Sequence, residues 1–441
     1  MTLTTLPGAN PTQHGGGATA DFGAARAEFQ SLLSGCGLYD LSGRAKIAAT
    51  GGDRMRWMNG MVSNNVRDLA AGRGVYAFLL NAQGHIQADL YVFQRGDSLL
   101  VDTERSQREK VLQLFDRYII ADDVETADIS DRLTALGLTG PEARAVLERA
   151  GIAVPELAPL ELCTPKCDCA CDCLQCTLVR GDDSLGLSYE IWLTPDKVKS
   201  TWDALLAAGA TAVGGDALNL FRISRGIPRF GVDIRERDLP QETGQTRALN
   251  FTKGCYLGQE IVERIRSRGA VHRMFTAFAV EGALPEAGAK IVADEKEVGE
   301  ITSSAILPLA GGDRAVAVGY LRREGSGKEL RAGAAKLTPT TLPIPCMVKA
   351  IRIFDAFSRL GKLYGAKEKR RKRIQSERQA LVYCRWRAPN GSRGRTGFTR
   401  RRDGSSSGGA SSGGSSGDNS RDCGFGGKRF CNPGNRGRAR V

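Results

Sequence analysis

The 441-residue sequence predicts an α+β body, a C-terminal β-barrel and a disordered basic tail. Three observations carry that prediction. Strand-like alternation and helix-like spacing are interleaved irregularly over the first 270 residues, which favours α+β layering over a doubly wound sheet. From His272 to Pro343, short strand-like runs follow one another with Gly/Pro turns and no helical spacing, the pattern of a small barrel. Beyond Ile344 the apolar periodicity stops and charge takes over. Residues 344–441 carry a net +18, whereas residues 1–343 carry −5. The overall +13 therefore belongs to the tail and not to the body.

The elements follow in order. The leader, residues 1–24, is rich in Gly and Pro and reads as flexible. It has no basic n-region, no apolar h-region and no arginine before Arg26, so it predicts neither a secretory signal nor a mitochondrial presequence. "AARAEFQSLLSG" spaces its apolar residues as a helix ended by glycine, and "AKIAATG" alternates as a strand. "DRMRWMNGMVSNNV" predicts a helix with an aspartate cap. "GVYAFLLNAQGHIQADLYVF" predicts two strands joined at "NAQG", and "SLLVDTE" another strand. "RSQREKVLQLFDRYII" sets Val111, Leu112, Leu114 and Phe115 on one side of a helix. "ALGLTGPEARAVLERAG" gives strand, turn and helix. "LSYEIWLT" is a strand, and "PDKVKSTWDALLAAGA" a helix. The body thus spans residues 25–270, the barrel 271–343 and the tail 344–441. The tail's "DGSSSGGASSGGSSGDNS" is linker composition that cannot bury enough apolar surface to offset chain entropy.

Six of the twelve cysteines fall in "CTPKCDCACDCLQC", an insertion spanning residues 163–176. No disulfide framework has that clustering, and it points to a reducing, cytoplasmic setting. Cys163, Cys167, Cys169, Cys171, Cys173 and Cys176 are a candidate set for soft metal ions or an iron–sulfur cluster, although their spacing does not match the paired Cys-x-x-Cys zinc pattern. The alternative is a surface insertion of fortuitous composition. No apolar run is long enough to span a membrane, so none is expected as a partner. The three histidines, His14, His85 and His272, are too scattered to suggest a zinc site or a Ser-His-Asp triad.

"FTKGCYLGQE", Phe251–Glu260, carries the most chemistry. Ile261, Val262 and Ile265 have helical spacing, so a helix begins near Gly258 and Cys255 stands just ahead of its N-terminus. Exposed N–H groups and the macrodipole there favour a thiolate, Lys253 adds positive charge, and Gly254 and Gly258 allow tight turns or close approach of a ligand. The alternative is an inert, buried cysteine.

The stretch Phe221–Arg273 resembles the YgfZ family of folate-binding proteins, relatives of the glycine-cleavage T-protein that support iron–sulfur cluster assembly or repair. Lys253, Gly254, Cys255, Tyr256, Gly258, Gln259 and Glu260 fill that family's Lys-Gly-Cys, aromatic, any residue, Gly-Gln-Glu signature completely. The likeness extends over roughly Gly37 to Pro343 and includes "VGEITSS", but neither leader nor tail. It implies a T-protein-like multi-domain body around a central folate pocket.

By the same resemblance, tetrahydrofolate or a derivative is the cofactor, and Glu190 in "SYEIW" meets the pterin edge with Tyr189 beside it. Asn81, Gly254, Gly258, Gln259 and Glu260 are the other implied binding residues. Cys255, Lys253 and Asp89 are the implied chemical ones. In "NAQGHIQADLYVF", Asn81 and Gly84 match the T-protein pattern, but Ala88-Asp89 replaces its acidic pair, which weakens the case for aminomethyl transfer. The implied partners are iron–sulfur client or carrier proteins, with a transient cluster at Cys255. Two other functions stay open: a tetrahydrofolate-dependent aminomethyltransferase, and an RNA-associated protein acting through its Arg/Gly-rich tail. For the tail, a solvated extension is the simpler reading.

Overall fold

The computed structural model describes residues 10–11, 19–165, 176–182, 188–269, 271–309, 311–341 and 343. The tail, most of the leader and Cys167, Cys169, Cys171 and Cys173 lie outside the described residues.

Helix α1 (Ala25–Ser34) leads into strands β1 (Gly37–Asp40) and β2 (Arg44–Thr50). Helix α2 (Arg54–Met61) precedes the hairpin of β3 (Gly74–Leu80) and β4 (Ile86–Gln94), and β5 (Leu99–Glu104) follows. Next come α3 (Arg108–Tyr118), β6 (Glu125–Asp128), β7 (Thr134–Thr139) and α4 (Ala143–Arg149). Strands β8 (Leu162–Cys163), β9 (Thr177–Arg180) and β10 (Ser188–Leu193) lead to α5 (Val198–Ala207), β11 (Thr211–Ala212) and α6 (Gly215–Arg225). The predicted helix after the cysteine is α7 (Gln259–Arg268).

Two sheets form the body. One runs β3-β4-β5-β2-β6, the other β8-β9-β10-β7-β1-β11. Side-chain alternation explains how they stack. On β4, Ala88, Leu90 and Val92 face outward and pack with Val111 and Phe115 of α3 and Trp57 and Met58 of α2. Full burial of a side chain such as Phe115 contributes about 2–3 kcal/mol. On the second sheet, Leu136, Leu138, Ile191 and Leu193 pack outward against α4 and α5. The inner faces meet through Phe93 and Leu100 from one sheet and Ala135, Val179 and Trp192 from the other. Phe93 and Trp192 stand edge to face, 4.9 Å between centroids. A short aromatic core thus separates the sheets and leaves the inner residues on either side of it to form a site.

One detail of α2 departs from expectation. Asp53 occupies the N-cap position, but its side chain does not cap. Its oxygens instead accept from the Asp123 N–H, which the turn before β6 brings close, and from the guanidinium of Arg56 within α2.

The second domain is a closed antiparallel barrel of β12 (Arg273–Glu281), β13 (Lys290–Ala293), β14 (Lys296–Leu309), β15 (Gly312–Arg322), β16 (Leu330–Ala332) and β17 (Ala335–Thr340), in the order β12-β15-β14-β13-β16-β17. Closure removes every exposed sheet edge, which lets such short strands form a stable unit.

The connector 229–243 clasps barrel to body. Buried Asp233 accepts from Arg222 at 2.6 Å, from the Arg229 N–H, and from the hydroxyls of Thr302 and Ser303 on β14. Buried Asp238 accepts from Arg273 of β12 at 2.6 Å and from Tyr320 of β15, while its carbonyl accepts from the Ile86 N–H at the start of β4. Each buried carboxylate is satisfied by charge-assisted bonds, the condition under which such groups are tolerated inside a protein.

Among the described residues, no helix is long and apolar enough to cross a membrane.

Candidate functional site

The inner faces of the two sheets carry a cluster of charged and aromatic side chains. On β4, Asp89 and Tyr91 are two residues apart and so share the inner face with Phe93. Tyr76 on β3 donates its hydroxyl to Asp89 Oδ2 at 2.9 Å, and Gln107 donates to Asp89 Oδ1 at 2.8 Å. The Tyr76 and Tyr91 rings lie 4.9 Å apart. Burial pushes the Tyr76 phenol well up, and the charge of Asp89 adds to that, so Tyr76 acts as a neutral donor. Burial also raises Tyr91, against the opposing charges of Arg247 and Arg44.

Glu190 enters from β10. It shares its face with Trp192, whose Nε1–H donates to Glu190 Oε2 at 2.8 Å. Its charge acts on both Arg44 and Tyr91. Glu190 is therefore not an ordinary solvent-facing strand residue. Tyr189 is a different matter. Neighbouring residues on a strand point to opposite faces, and Tyr189 is 3% exposed in the core under α4 and α5. Its expected place beside the pterin is corrected: the aromatic residues on Glu190's side are Tyr76, Tyr91 and Trp192.

A buried ion network backs the cluster. Asp102 pairs with Arg44 at 2.6 Å and with Lys46, and the Lys46 ammonium lies 4.6 Å from the Trp192 ring. Burial pushes the Asp102 carboxyl up, but Arg44 and Lys46 more than offset this and hold it below the usual carboxylate range. Burial also disfavours the Arg44 charge, yet Asp102, Glu104 and Glu190 keep it firmly protonated. At the outer side, Arg247 lies over Tyr76, 4.7 Å from guanidinium carbon to ring centroid. Its Nη1 donates to the carboxylate of Asp182.

The cysteine loop is built at the end of the β3–β4 hairpin. Gly258 has a left-handed φ of 81°, and a Cβ there would come 2.5 Å from the Asn81 carbonyl. Gly84, at φ 74°, similarly admits Ile261 of α7. Only glycines let the two turns approach so closely. Asn81 spends its side chain on its own turn, accepting from the His85 N–H at 2.9 Å. Gln259 accepts from the Tyr256 N–H at 3.2 Å, so it orders the loop from within. Gly254 has open space around it, and Glu260 is exposed and paired with Arg264 one turn along the helix. Neither Gln259 nor Glu260 is grouped with the residues around Glu190.

Lys253 is the fastener. Its ammonium donates to the carbonyls of Asn59, Val62 and Asn64 at 2.5, 2.6 and 2.8 Å. These groups lie at and just beyond the C-terminus of α2, where helical carbonyls lack partners and the dipole favours a cation. Burial pushes the Lys253 amine down to about 7. All three protons of the ammonium are thereby assigned to the α2 end. Cys255, two residues on, is exposed. Its neighbour Tyr256 is buried in the core that holds Tyr76 and Val262, so the loop presents one residue outward while anchoring the next.

The cysteine-rich stretch gives less. Cys163 is half-buried on β8, and burial raises its thiol. Cys176 is 2% exposed within the core under α4 and α5. Among the described residues, no three His, Cys, Asp or Glu side chains are arranged to hold a metal ion.

Tyr76, Tyr91, Trp192, Arg44 and Arg247 were not singled out by sequence. Period-2 alternation was the available signal for two of them, Tyr91 from Asp89 and Trp192 from Glu190. No local pattern marks Arg247, whose partner is 65 residues away.

The family model for the GCVT N-terminal domain matches residues 9–253, and that for the CAF17 C-terminal β-barrel domain matches residues 272–343. The aminomethyltransferase of Rubrobacter xylanophilus is 28% identical over 306 residues, covering 68% of this chain and 80% of the relative. That of Halothermothrix orenii is 27% identical, covering 67% and 82%. The crystal structure of glycine cleavage system aminomethyltransferase T from Bartonella henselae superposes with a TM-score of 0.68 at 21% identity, covering 77% of this chain and 94% of that one. The fold is thus T-protein-like with a C-terminal six-stranded barrel. By its matched domain the chain belongs to the GCVT N-terminal domain family, here joined to a CAF17-type barrel.

Proposed function

We propose that this chain is a YgfZ-type folate-binding protein that supports assembly or repair of iron–sulfur proteins, with Cys255 as its working thiol. The single observation that carries the reading is the contrast within the loop: Lys253 and Tyr256 are fixed inward while Cys255 is exposed. A sulfur held outward by a rigid loop is suited to contact a client's cluster without a conformational search.

The inner cluster suits reduced folate. Glu190 offers a carboxylate to the N–H edge of a pterin, and Tyr76 and Tyr91 supply aromatic surface. Tetrahydrofolate, when bound, would supply one-carbon or reducing chemistry, and the residues here bind and orient it. Substituting Cys255→Ser should abolish support of iron–sulfur enzymes in cells that lack the protein, while tetrahydrofolate affinity stays within about twofold. Full complementation by that variant would sink the thiol role.

A second reading, aminomethyl transfer, is favoured by the names of the relatives and by Asp89 lying among the pocket residues. Each oxygen of Asp89, however, already accepts from a protein donor, Tyr76 or Gln107, and Ala88 stands where the second acidic residue of the T-protein pair is expected. Formation of methylene-tetrahydrofolate from an aminomethyl donor would decide for this alternative.

A further inference from the structure

We propose that the Arg247–Asp182 ion pair is a latch at the mouth of the inner cluster, opened when a carboxylate tail on the ligand takes the place of Asp182. Arg247 thereby selects tailed pterins over tail-less ones. This rests on the folate reading above.

Arg247 is held at its base. The residues after it, Ala248 and Leu249, are buried in the core that contains Tyr76. Its Nε donates to Gln245 Oε1 at 3.2 Å, and its guanidinium lies over Tyr76. Its charge reaches Tyr91 as well as Tyr76. The guanidinium therefore covers the aromatic pair from outside. Asp182 follows β9 of the six-stranded sheet, so the ion pair joins that sheet to the turn Thr246–Ala248 that carries Arg247.

The cluster holds two arginines of opposite character. The Arg44 side chain is 17% exposed and committed to Asp102, which is itself 2% exposed. The Arg247 side chain is 37% exposed, with a partner 19% exposed. Only the second pair is placed to exchange partners with something arriving from solvent. A pterin whose N–H edge meets Glu190 must project its substituent away from that carboxylate, towards the open side. A tail carboxylate meeting Arg247 replaces one carboxylate by another, so the guanidinium is never left unpaired, and the cost of breaking the pair is largely recovered. A tail-less pterin has nothing to offer Arg247, so the latch stays shut against it.

The experiment is a calorimetric titration of the full chain, kept anaerobic, with tetrahydrofolate and with 6-methyltetrahydropterin, which lacks the tail. Arg247→Gln should weaken tetrahydrofolate binding by about 10- to 100-fold, the value of a charge-assisted contact, and should tighten 6-methyltetrahydropterin, against which no latch is then left. Asp182→Asn, which frees the arginine, should tighten tetrahydrofolate several-fold. Equal losses for both ligands in Arg247→Gln, no loss for either, or weaker tetrahydrofolate binding in Asp182→Asn would each overturn the latch while leaving the folate reading intact. A wild-type chain that binds neither ligand overturns both.

Discussion

Two lysines in this body are drawn inward, Lys46 fully buried and Lys253 half-buried, and they are held in opposite ways. Lys46, fully enclosed between the sheets, has the carboxylate of Asp102 and the face of Trp192. Lys253, at the end of α2, has three backbone carbonyls and the face of Tyr256, 4.7 Å away, but no carboxylate partner among the described residues. A carboxylate neutralises the charge it meets, whereas carbonyls solvate it without neutralising it. The first arrangement is a permanent part of the core beneath the inner cluster. The second leaves a cation whose protonation responds to its surroundings, in the loop that displays Cys255.

The comparison breaks most visibly at Asp102. Its replacement by Ala strands Lys46 and deprives Arg44 of its main partner, and should destabilise the fold by about 3–5 kcal/mol, measured by urea unfolding. A loss below about 1 kcal/mol would mean that the Lys46 charge finds solvent elsewhere. Lys253→Met should cost less, about 2–3 kcal/mol, because unpaired carbonyls at a helix end can recover water. It should also loosen the cysteine loop, read as a change in the rate at which Cys255 is alkylated.

The pH dependence sharpens the contrast. Burial holds the Lys253 amine at about 7 against an ordinary 10.5. Between those values the unfolded chain binds more protons than the folded one, so stability should rise with pH from about 7 towards 10. The difference in unfolding free energy between the wild-type chain and Lys253→Met, followed over that range, isolates this contribution. A flat difference would show that the three carbonyls and the helix terminus keep the Lys253 ammonium charged over that range.

Much of the fold was legible because its signals are local. The alternation of "IQADLYVF" and the helical spacing of "REKVLQLF" correspond to β4 and α3, and the run of short strands after His272 closes as the barrel. The site was legible only where a motif named a residue. Glu190 and Asp89 were expected from resemblance, and both lie on inner faces. Tyr189 was misassigned because adjacency in sequence means opposite faces in a strand. The inward turn of Lys253 was illegible, since its carbonyl partners come from residues 59–64. The same holds for Arg247 and Asp182. Long-range pairs leave no periodicity behind.

The connector 229–243 has a mechanical consequence. Asp233 is tied to β14 of the barrel, and Asp238 is tied at once to β12, β15 and the first residue of β4. Any tilt of the barrel must either rupture these bonds or carry the connector along, and with it the root of the hairpin on which Gly258 rests. A protein gripping the barrel would therefore tug on the seat of the sulfur-bearing loop. In such a pull the pair of buried aspartates would be the fulcrum.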